Sequence, residues 1–209
     1  MAQVNDVPLR FVNSLDTRKH IVLFYDDPDY AQKIEFQFIK NGLLRQESCI
    51  YASDEDPHDI IDKMITQGID AEEFLKRRLL FVYQLGNPFE CPEGPIKGAQ
   101  NSIKEILSDI RSPFRVVGRI IPDVSTLEGI SAEIKLEQTF HSTFNNFKGS
   151  VICPYHIEKM EATKRKQWFS KLFENHHSAI FAPKDGLGGV FELCESKVQM
   201  HARDDDRAI

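Results

Sequence analysis

The chain has 209 residues, of which 41% are hydrophobic and 28% are charged, a composition typical of one globular domain with a sizeable core. Lys and Arg (26) are outnumbered by Asp and Glu (32), and the formal net charge of −6 argues against direct binding of nucleic acid. No apolar run reaches the roughly 20 residues that cross a bilayer, no signal peptide opens the chain, and the four cysteines stand far apart. We therefore expect a cytoplasmic protein with reduced thiols and no membrane contact.

Strands and helices alternate along the first half of the chain. Residues 1–13 are expected to form an N-terminal extension. The continuous apolar run from His20 to Tyr25 predicts a strand buried on both faces, and helical spacing of apolar residues then extends from Pro28 to near Gly42. Further elements are predicted in order: a strand at 48–53, a helix from Asp56-Pro57 to Gly68, a short acidic helix at 70–76 and a strand at 78–83.

The second half continues this alternation after a long loop. Residues 85–95 are rich in glycine and proline, and a loop of this length favours a functional, lid-like role. The residues from 195 onward are polar and are expected to form a frayed tail. Between them the sequence predicts a helix at 96–110, a strand at 114–121, a helix at 128–147, a strand at 150–153 cut by Pro154, a helix at 163–174 and strands at 178–182 and 189–193.

Five or six repeats of strand and helix predict an α/β fold in three layers. Its central sheet is mostly parallel with helices on both faces, because parallel strands need crossover helices that pack back onto the sheet. The first strand is expected in the interior of the sheet, since its apolar run is uninterrupted from Ile21 to Phe24. The last two strands predict a C-terminal β-hairpin, and a single domain is expected over residues 14–194.

The turn after the first strand lacks the features of a phosphate-binding loop. Between His20 and Asn41 there is no glycine, and Asp26 and Asp27 place two carboxylates where phosphate would sit. The glycines at 186–189 lie in a late hairpin without a following helix and are interpreted as a plain turn. A nucleotide-dependent enzyme is therefore disfavoured, and no cofactor is expected.

Other catalytic or metal-binding patterns are weak. Cys153 and His156 follow the fifth strand, but such close neighbours in an extended chain rarely form a nucleophile–base pair, so Cys153 is interpreted as a small core residue. None of the seven histidines has the spacing of a zinc motif, and no metal is expected. Glu133 and Glu137 share a helix face at i, i+4 and are interpreted as solvated surface acids.

The order and spacing of several short blocks resemble the MEDS family, which is named for methanogen and methylotroph proteins and a dichloromethane-responsive repressor. The resemblance covers roughly residues 14–193, and no single block is diagnostic. The blocks that carry it are His20-Ile-Val-Leu-Phe-Tyr25, Phe38-Ile-Lys-Asn-Gly-Leu43, Cys49-Ile-Tyr51, Phe114-Arg-Val-Val-Gly118, Leu136-Glu137, Val151-Ile-Cys-Pro-Tyr155 and His177 before the last strand.

This resemblance implies a RecA- or KaiC-like domain that has lost its phosphate loop and senses small organic molecules, proposed to be hydrocarbon derivatives. The chain carries no appended DNA-binding or kinase module, so its output is expected to pass through a separate effector protein or a homo-oligomer. The chain departs from the family at Arg119, where the resemblance leads us to expect an acidic residue.

The expected site is a crevice beyond the carboxyl ends of strands one, four and five. The residues after these strands are predicted to line it together: Tyr25, Asp26, Arg119, Tyr155 and His156. The resemblance adds Glu137, which could pair with Arg119, together with His20 and His177. Such a site suits a small, partly apolar organic ligand and not a triphosphate. The alternatives are a KaiC-type nucleotide-dependent enzyme or phosphotransferase-related regulator, a thiol enzyme that uses Cys153, and a scaffold whose polar groups only satisfy one another.

Overall fold

A seven-stranded sheet forms the centre of the protein in this computed structural model, which describes residues 6–16, 18–108, 110–184 and 188–193. The expected tail at 195–209 and most of the expected glycine turn lie outside these residues. The strands are β1 (His20–Tyr25), β2 (Ser48–Ser53), β3 (Leu80–Gln84), β4 (Phe114–Gly118), β5 (Gly149–His156), β6 (Ser178–Ala182) and β7 (Gly189–Glu192). They lie in the order β3-β2-β4-β5-β1-β6-β7, and only β7 runs antiparallel to its neighbour.

Helices cover both faces of this sheet, which confirms the predicted three-layer α/β fold. The helices are α1 (Val7–Ser14), α2 (Pro28–Leu44), α3 (Pro57–Thr66), α4 (Ala71–Lys76), α5 (Pro95–Leu107), α6 (Leu127–Thr143) and α7 (Arg165–Glu174). The core has two layers, one packed against α1 to α4 and the other against α5 to α7. Within the described ranges, none of the helices has the length and apolarity needed to span a bilayer.

Strand β1 lies in the sheet interior, between β5 and β6, as its apolar run predicted. Its side chains alternate between the two core layers: Ile21 and Leu23 pack towards α2, whereas Val22 and Phe24 pack towards α6 and α7. His20 has the same parity as Val22 and therefore faces α6, although it is polar. This placement brings a histidine into the buried layer under α6.

The N-terminal residues contribute a helix where the sequence suggested only an extension. The Asp6 carboxylate caps α1 by accepting a hydrogen bond from the amide of Leu9 at 3.0 Å. Val12 is fully buried in the core, and α1 packs on α2. Residues 6–14 are thus part of the folded layer.

Strand β5 continues past Pro154, contrary to the expected stop at residue 153. The last pair between β4 and β5 joins Val117 to Ile152, whereas β1 stays paired with β5 as far as His156. A proline at position 154 therefore interrupts no ladder with β4, which is why the strand tolerates it. Strand β4 ends at Gly118 instead of residue 121, so Arg119 begins the connection to α6.

Candidate functional site

A polar crevice of about 160 Å³ lies at the carboxyl ends of β1, β2 and β4. Tyr25 and Arg119 line it, and the ring of His156 meets the Tyr25 ring edge-on at 5.1 Å between centroids. Buried atoms of three predicted site residues lack a hydrogen-bond partner: Asp26 Oδ1, Arg119 Nε and His156 Nδ1. Unpartnered buried polar atoms are uncommon in folded proteins, so this end of the sheet offers both donors and acceptors to a ligand.

A buried acid, Glu35, lines the crevice. Glu35 of α2 accepts a hydrogen bond from the Tyr51 hydroxyl at 2.6 Å. Burial raises the pKa of Glu35 to about 7, and the bond from Tyr51 offsets only part of that rise. Burial likewise raises the pKa of Tyr25 to about 12. At neutral pH the Tyr25 phenol is therefore neutral, and the Glu35 carboxyl group is partly protonated.

Four other side chains form a hydrogen-bonded chain in the buried layer under α6. The Tyr155 oxygen lies 2.9 Å from Glu133 Oε1 and 2.7 Å from Glu137 Oε1, and Glu137 Oε2 lies 3.0 Å from His20 Nε2. One hydroxyl donates only one proton, so Tyr155 can donate to one of the two acids and must accept from the other. One of the two carboxyl groups is therefore protonated.

The pKa values identify the protonated acid as Glu133. Burial and the charge of Glu137 raise the pKa of Glu133 to about 8. Burial acts in the same direction on Glu137, but His176, His20 and the hydrogen bonds it accepts outweigh it and lower the pKa of Glu137 to about 2. Glu133 therefore donates to Tyr155, Tyr155 donates to Glu137, and Glu137 is the ionised acid of the two.

Two further side chains converge on Glu137. The sulfur of Cys153 lies 3.4 Å from His20 Nε2, and His176 Nε2 lies 3.7 Å from Glu137 Oε2. His20, Glu137, Cys153 and His176 are all buried, and their ligand-type atoms lie within 4.8 Å of one another. Burial lowers the pKa of His176 to about 3, with His20 adding to the effect, so its imidazole is neutral.

Arg119 separates the crevice from this buried group. Its guanidinium lies over the Tyr155 ring at 5.4 Å and donates to the carbonyl oxygen of Pro122 at 2.8 Å. The ion pair considered between Arg119 and Glu137 is wrong, because the nitrogen atoms found near the Glu137 carboxylate belong to His20, at 3.0 Å, and His176, at 3.7 Å.

An apolar cavity of about 110 Å³ lies between the sheet and helices α5 and α6. Arg119, Glu133, Glu137 and Cys153 reach its wall, so the cavity adjoins the buried hydrogen-bonded chain. Ala52, Gly118 and Arg119 line both the cavity and the crevice. The apolar lining consists mainly of Ile50, Ile103, Ile106, Leu107, Val116, Ile120, Leu136, Phe140, Phe147 and Val151.

The profile of the MEDS family, described as MEthanogen/methylotroph, DcmR Sensory domain, matches residues 19–170. The chain belongs to the MEDS family. Membership of a family of sensory domains indicates a sensory role. No curated protein matches the sequence significantly.

The fold of this MEDS domain is similar to that of a KaiC-like protein from the hyperthermophilic archaeon Pyrococcus horikoshii OT3. The TM-score is 0.60 at 12% sequence identity, and the match covers 85% of this chain and 80% of the archaeal one. At this identity the similarity establishes the shared KaiC-like architecture alone.

The predicted site residues of this MEDS domain lie in three different places. Tyr25 and Arg119 line the crevice, His156 contacts the Tyr25 ring, and Asp26 follows Tyr25 but is not among the lining residues. Tyr155, Glu137 and His20 belong to the buried hydrogen-bonded chain. His177 lies at the amino end of β1, where its Nδ1 accepts the amide hydrogen of His20 at 2.9 Å. The expectation that one crevice would gather all of these residues is therefore wrong.

The structure also corrects the interpretation of Glu133 and Glu137 and the histidine considered as a partner of Cys153. Glu133 and Glu137 are buried, so their interpretation as surface acids is wrong. They occupy core-facing positions of α6 beside Ile130 and Ile134, and this apolar spacing is the signal that could have placed them inside. The histidine near Cys153 is His20 and not His156, a pairing that depends on the register of β1 against β5 and has no signal in local sequence.

Proposed function

We propose that this MEDS domain is a non-enzymatic sensor of a small, predominantly apolar organic molecule, which binds in the cavity under α5 and α6. The observation that supports this proposal is the cavity itself, whose apolar wall is interrupted by the polar groups of Arg119, Glu133 and Glu137. A pocket with many apolar side chains and a few convergent polar groups is the usual form of a small-molecule site. The apolar wall takes the body of the ligand, and Arg119 takes a polar group that faces the crevice.

The size of the cavity limits the ligand to a small molecule. An engineered protein cavity of about 150 Å³ binds benzene, and the cavity under α5 measures about 110 Å³. A molecule with a handful of non-hydrogen atoms therefore fits without displacing the core. Short-chain or halogenated hydrocarbon derivatives have this size and polarity, and the crevice lined by Tyr25 and Glu35 provides the polar approach to Arg119.

Helix α5 is the element that would report binding. Ala99 is its one fully buried residue, whereas Ile103, Ile106 and Leu107 face the cavity and are only half-buried. A helix with so little buried apolar surface belongs to the less stable part of a fold. A ligand that fills the cavity would pack against these three side chains and order α5, whose outer surface is then presented to a separate effector protein or to a second copy of the chain.

The N-terminus of α2 supports a binding function over nucleotide chemistry. In a phosphate-binding domain, the amides at this helix end would hold the phosphate. Here Asp27 Oδ1 accepts the amide hydrogens of Asp29 at 3.0 Å and Tyr30 at 3.2 Å. The side chain of the protein itself therefore takes the anion position, and a phosphate would be repelled by its charge.

The proposal is tested by hydrogen–deuterium exchange of α5 and by thermal stability with small organic probes. We expect simple aromatics, short alcohols or halogenated alkanes to slow amide exchange in α5 and raise the melting temperature. The variant Ile106→Phe fills the cavity and should lose this response by at least about tenfold in apparent affinity. The matched control Ile65→Phe changes an exposed residue of α3 and should keep it.

Two outcomes would contradict the proposal. Equal responses of Ile106→Phe and Ile65→Phe would show that the probes bind elsewhere. Stabilisation by ATP with magnesium, without any effect of the organic probes, would instead favour the KaiC-type nucleotide-dependent alternative.

A further inference from the structure

We propose that His20, Glu137, Cys153 and His176 form a binding site for one divalent first-row transition-metal ion, with Zn²⁺ the best match. Two imidazoles, a thiolate and a carboxylate are all ligands that Zn²⁺ takes in proteins, whereas Mg²⁺ and Ca²⁺ prefer oxygen atoms alone. The ion would be held by the chain's own side chains, two of which, Glu137 and Cys153, also line the cavity proposed above for the organic molecule.

The distances between the four ligand atoms agree with a tetrahedral ion. Ligands at about 2.0–2.3 Å from zinc lie roughly 3.3–3.6 Å from one another in a tetrahedron. His20 Nε2 lies 3.0 Å from Glu137 Oε2 and 3.4 Å from Cys153 Sγ. His176 Nε2 lies 3.7 Å from Glu137 Oε2, and all pairs lie within 4.8 Å. Small side-chain rotations would therefore bring all four atoms to bonding distance of one ion.

The orientation of His176 points independently to a cation. Its Nδ1 lies 2.7 Å from the carbonyl oxygen of Leu172, and because a carbonyl can only accept, Nδ1 carries the proton. Nε2 of the neutral ring therefore has a lone pair, which is buried, has no hydrogen-bond donor and faces the Glu137 carboxylate. A cation between these two electron-rich atoms would remove their mutual repulsion. A histidine whose second nitrogen is fixed by a carbonyl is also the usual arrangement around bound metals.

The charges of the four ligands balance those of the ion. The Glu137 carboxylate and a Cys153 thiolate supply two negative charges, and the imidazoles bind in their neutral form. Without an ion, burial and the nearby acids raise the pKa of Cys153, so its sulfur keeps the proton. An ion bound by the four side chains would take the place of that proton.

The ligands lie on rigid elements that hold them in place before an ion arrives. His20 and Cys153 are fixed by the paired backbone of β1 and β5, and Glu137 lies within α6. His176 follows α7 and is tied back to its last turn through Leu172. Cys153 and Glu137 also line the apolar cavity, which gives an ion a way in.

The test uses the full chain, stripped with a chelator and titrated with Zn²⁺ or Co²⁺. We expect one ion per chain by elemental analysis and a thiolate-to-Co²⁺ charge-transfer band, which requires a sulfur ligand. Cys153→Ser should abolish that band, and His176→Gln should weaken Zn²⁺ binding by at least about tenfold. The matched controls are Cys49→Ser, a buried cysteine in the other core layer, and His58→Gln, an exposed histidine of α3. Both should bind like the wild type.

The proposal would be overturned by wild-type protein that binds neither ion, or by a Co²⁺ spectrum without the thiolate band. Equal binding by Cys153→Ser and Cys49→Ser would also overturn it. The spectrum of the wild-type protein with Co²⁺ tests for a sulfur ligand even if a variant fails to fold. A protein that binds no Zn²⁺ but keeps the α5 response to organic probes would contradict the metal site and support the sensory function. A protein that binds Zn²⁺ but shows no α5 response would support the metal site and contradict the sensory function.

Discussion

Tyr155 joins the two acids of the buried hydrogen-bonded chain. Its ring is fully buried, and its one hydroxyl contacts both Glu133 and Glu137. A hydrogen bond to a charged group contributes about 1.5–3 kcal/mol, and a buried acid left without its partner adds the cost of its desolvation. Tyr155→Phe removes the oxygen and nothing else. We expect it to lower the free energy of unfolding by about 2–4 kcal/mol in urea titrations at pH 7.

The comparison for this prediction is Tyr30→Phe. The Tyr30 hydroxyl donates to Asp6 Oδ1 at 2.7 Å, but that pair is only half-buried and can exchange with water. We expect a loss of about 0.5–1.5 kcal/mol there. Equal losses in the two variants would show that the buried chain is no more important to stability than a surface hydrogen bond.

Helix α6 is the element that carries Glu133 and Glu137, and its first turn fixes how it meets the loop from β4. The Thr126 hydroxyl caps the helix by accepting the amide hydrogen of Gly129 at 3.0 Å. A Cβ atom at Gly129 would lie 1.9 Å from the carbonyl oxygen of Asp123. No side chain therefore fits at this position unless the loop moves, and the loop also holds Arg119 and Ile121.

Gly129→Ala is expected to destabilise the fold even though alanine favours helices. Overpacking of a close contact costs about 1–3 kcal/mol, more than the roughly 1 kcal/mol gained from helix propensity. We expect a lower melting temperature, together with a changed environment for the Arg119 side chain in NMR spectra. The control Ser131→Ala adds an alanine at an exposed position of the same helix and should change stability by less than about 0.5 kcal/mol. Equal effects of the two alanines would contradict the steric argument.

At the scale of the whole molecule, the buried acid Glu133 makes stability depend on pH. Its pKa is raised to about 8 in the folded protein, against an ordinary value of 4.5. Between these two values the folded state binds more protons than the unfolded state, so stability falls as pH rises. Glu133→Gln keeps a neutral side chain that can still accept from Ile121 and donate to Tyr155.

We therefore expect the stability of Glu133→Gln, relative to the wild type, to increase from pH 5 to pH 8. The slope should reach at most about 1.4 kcal/mol per pH unit in urea unfolding measured across this range. The control Glu128→Gln alters an exposed acid of the same helix, and its difference from the wild type should stay constant. If the stability of Glu133→Gln relative to the wild type did not change with pH, Glu133 would be ionised in the folded protein.

The architecture followed from local sequence because it rests on burial and chain direction. The uninterrupted apolar run of β1 leaves no face for solvent, so the strand has to lie inside the sheet, and alternating strands and helices require parallel pairing. A crevice at the carboxyl ends was expected from the same rule, and Tyr25 and Arg119 line it, whereas ligand binding there stays a prediction. The profile match and the fold comparison agree with this architecture.

The buried chemistry was decided by the tertiary structure. Cys153 and His20 are 133 positions apart and meet because β1 pairs with β5 in one register, in which a shift of one residue would turn either side chain to the other face. Glu137 and His176 join them only when α6 and α7 pack on that face of the sheet. Local sequence sets which residues are apolar and which are polar, but the partners of a buried polar group come from distant segments. Their identities, and with them the protonation of Glu133 and the convergence on Glu137, exist only in the assembled fold.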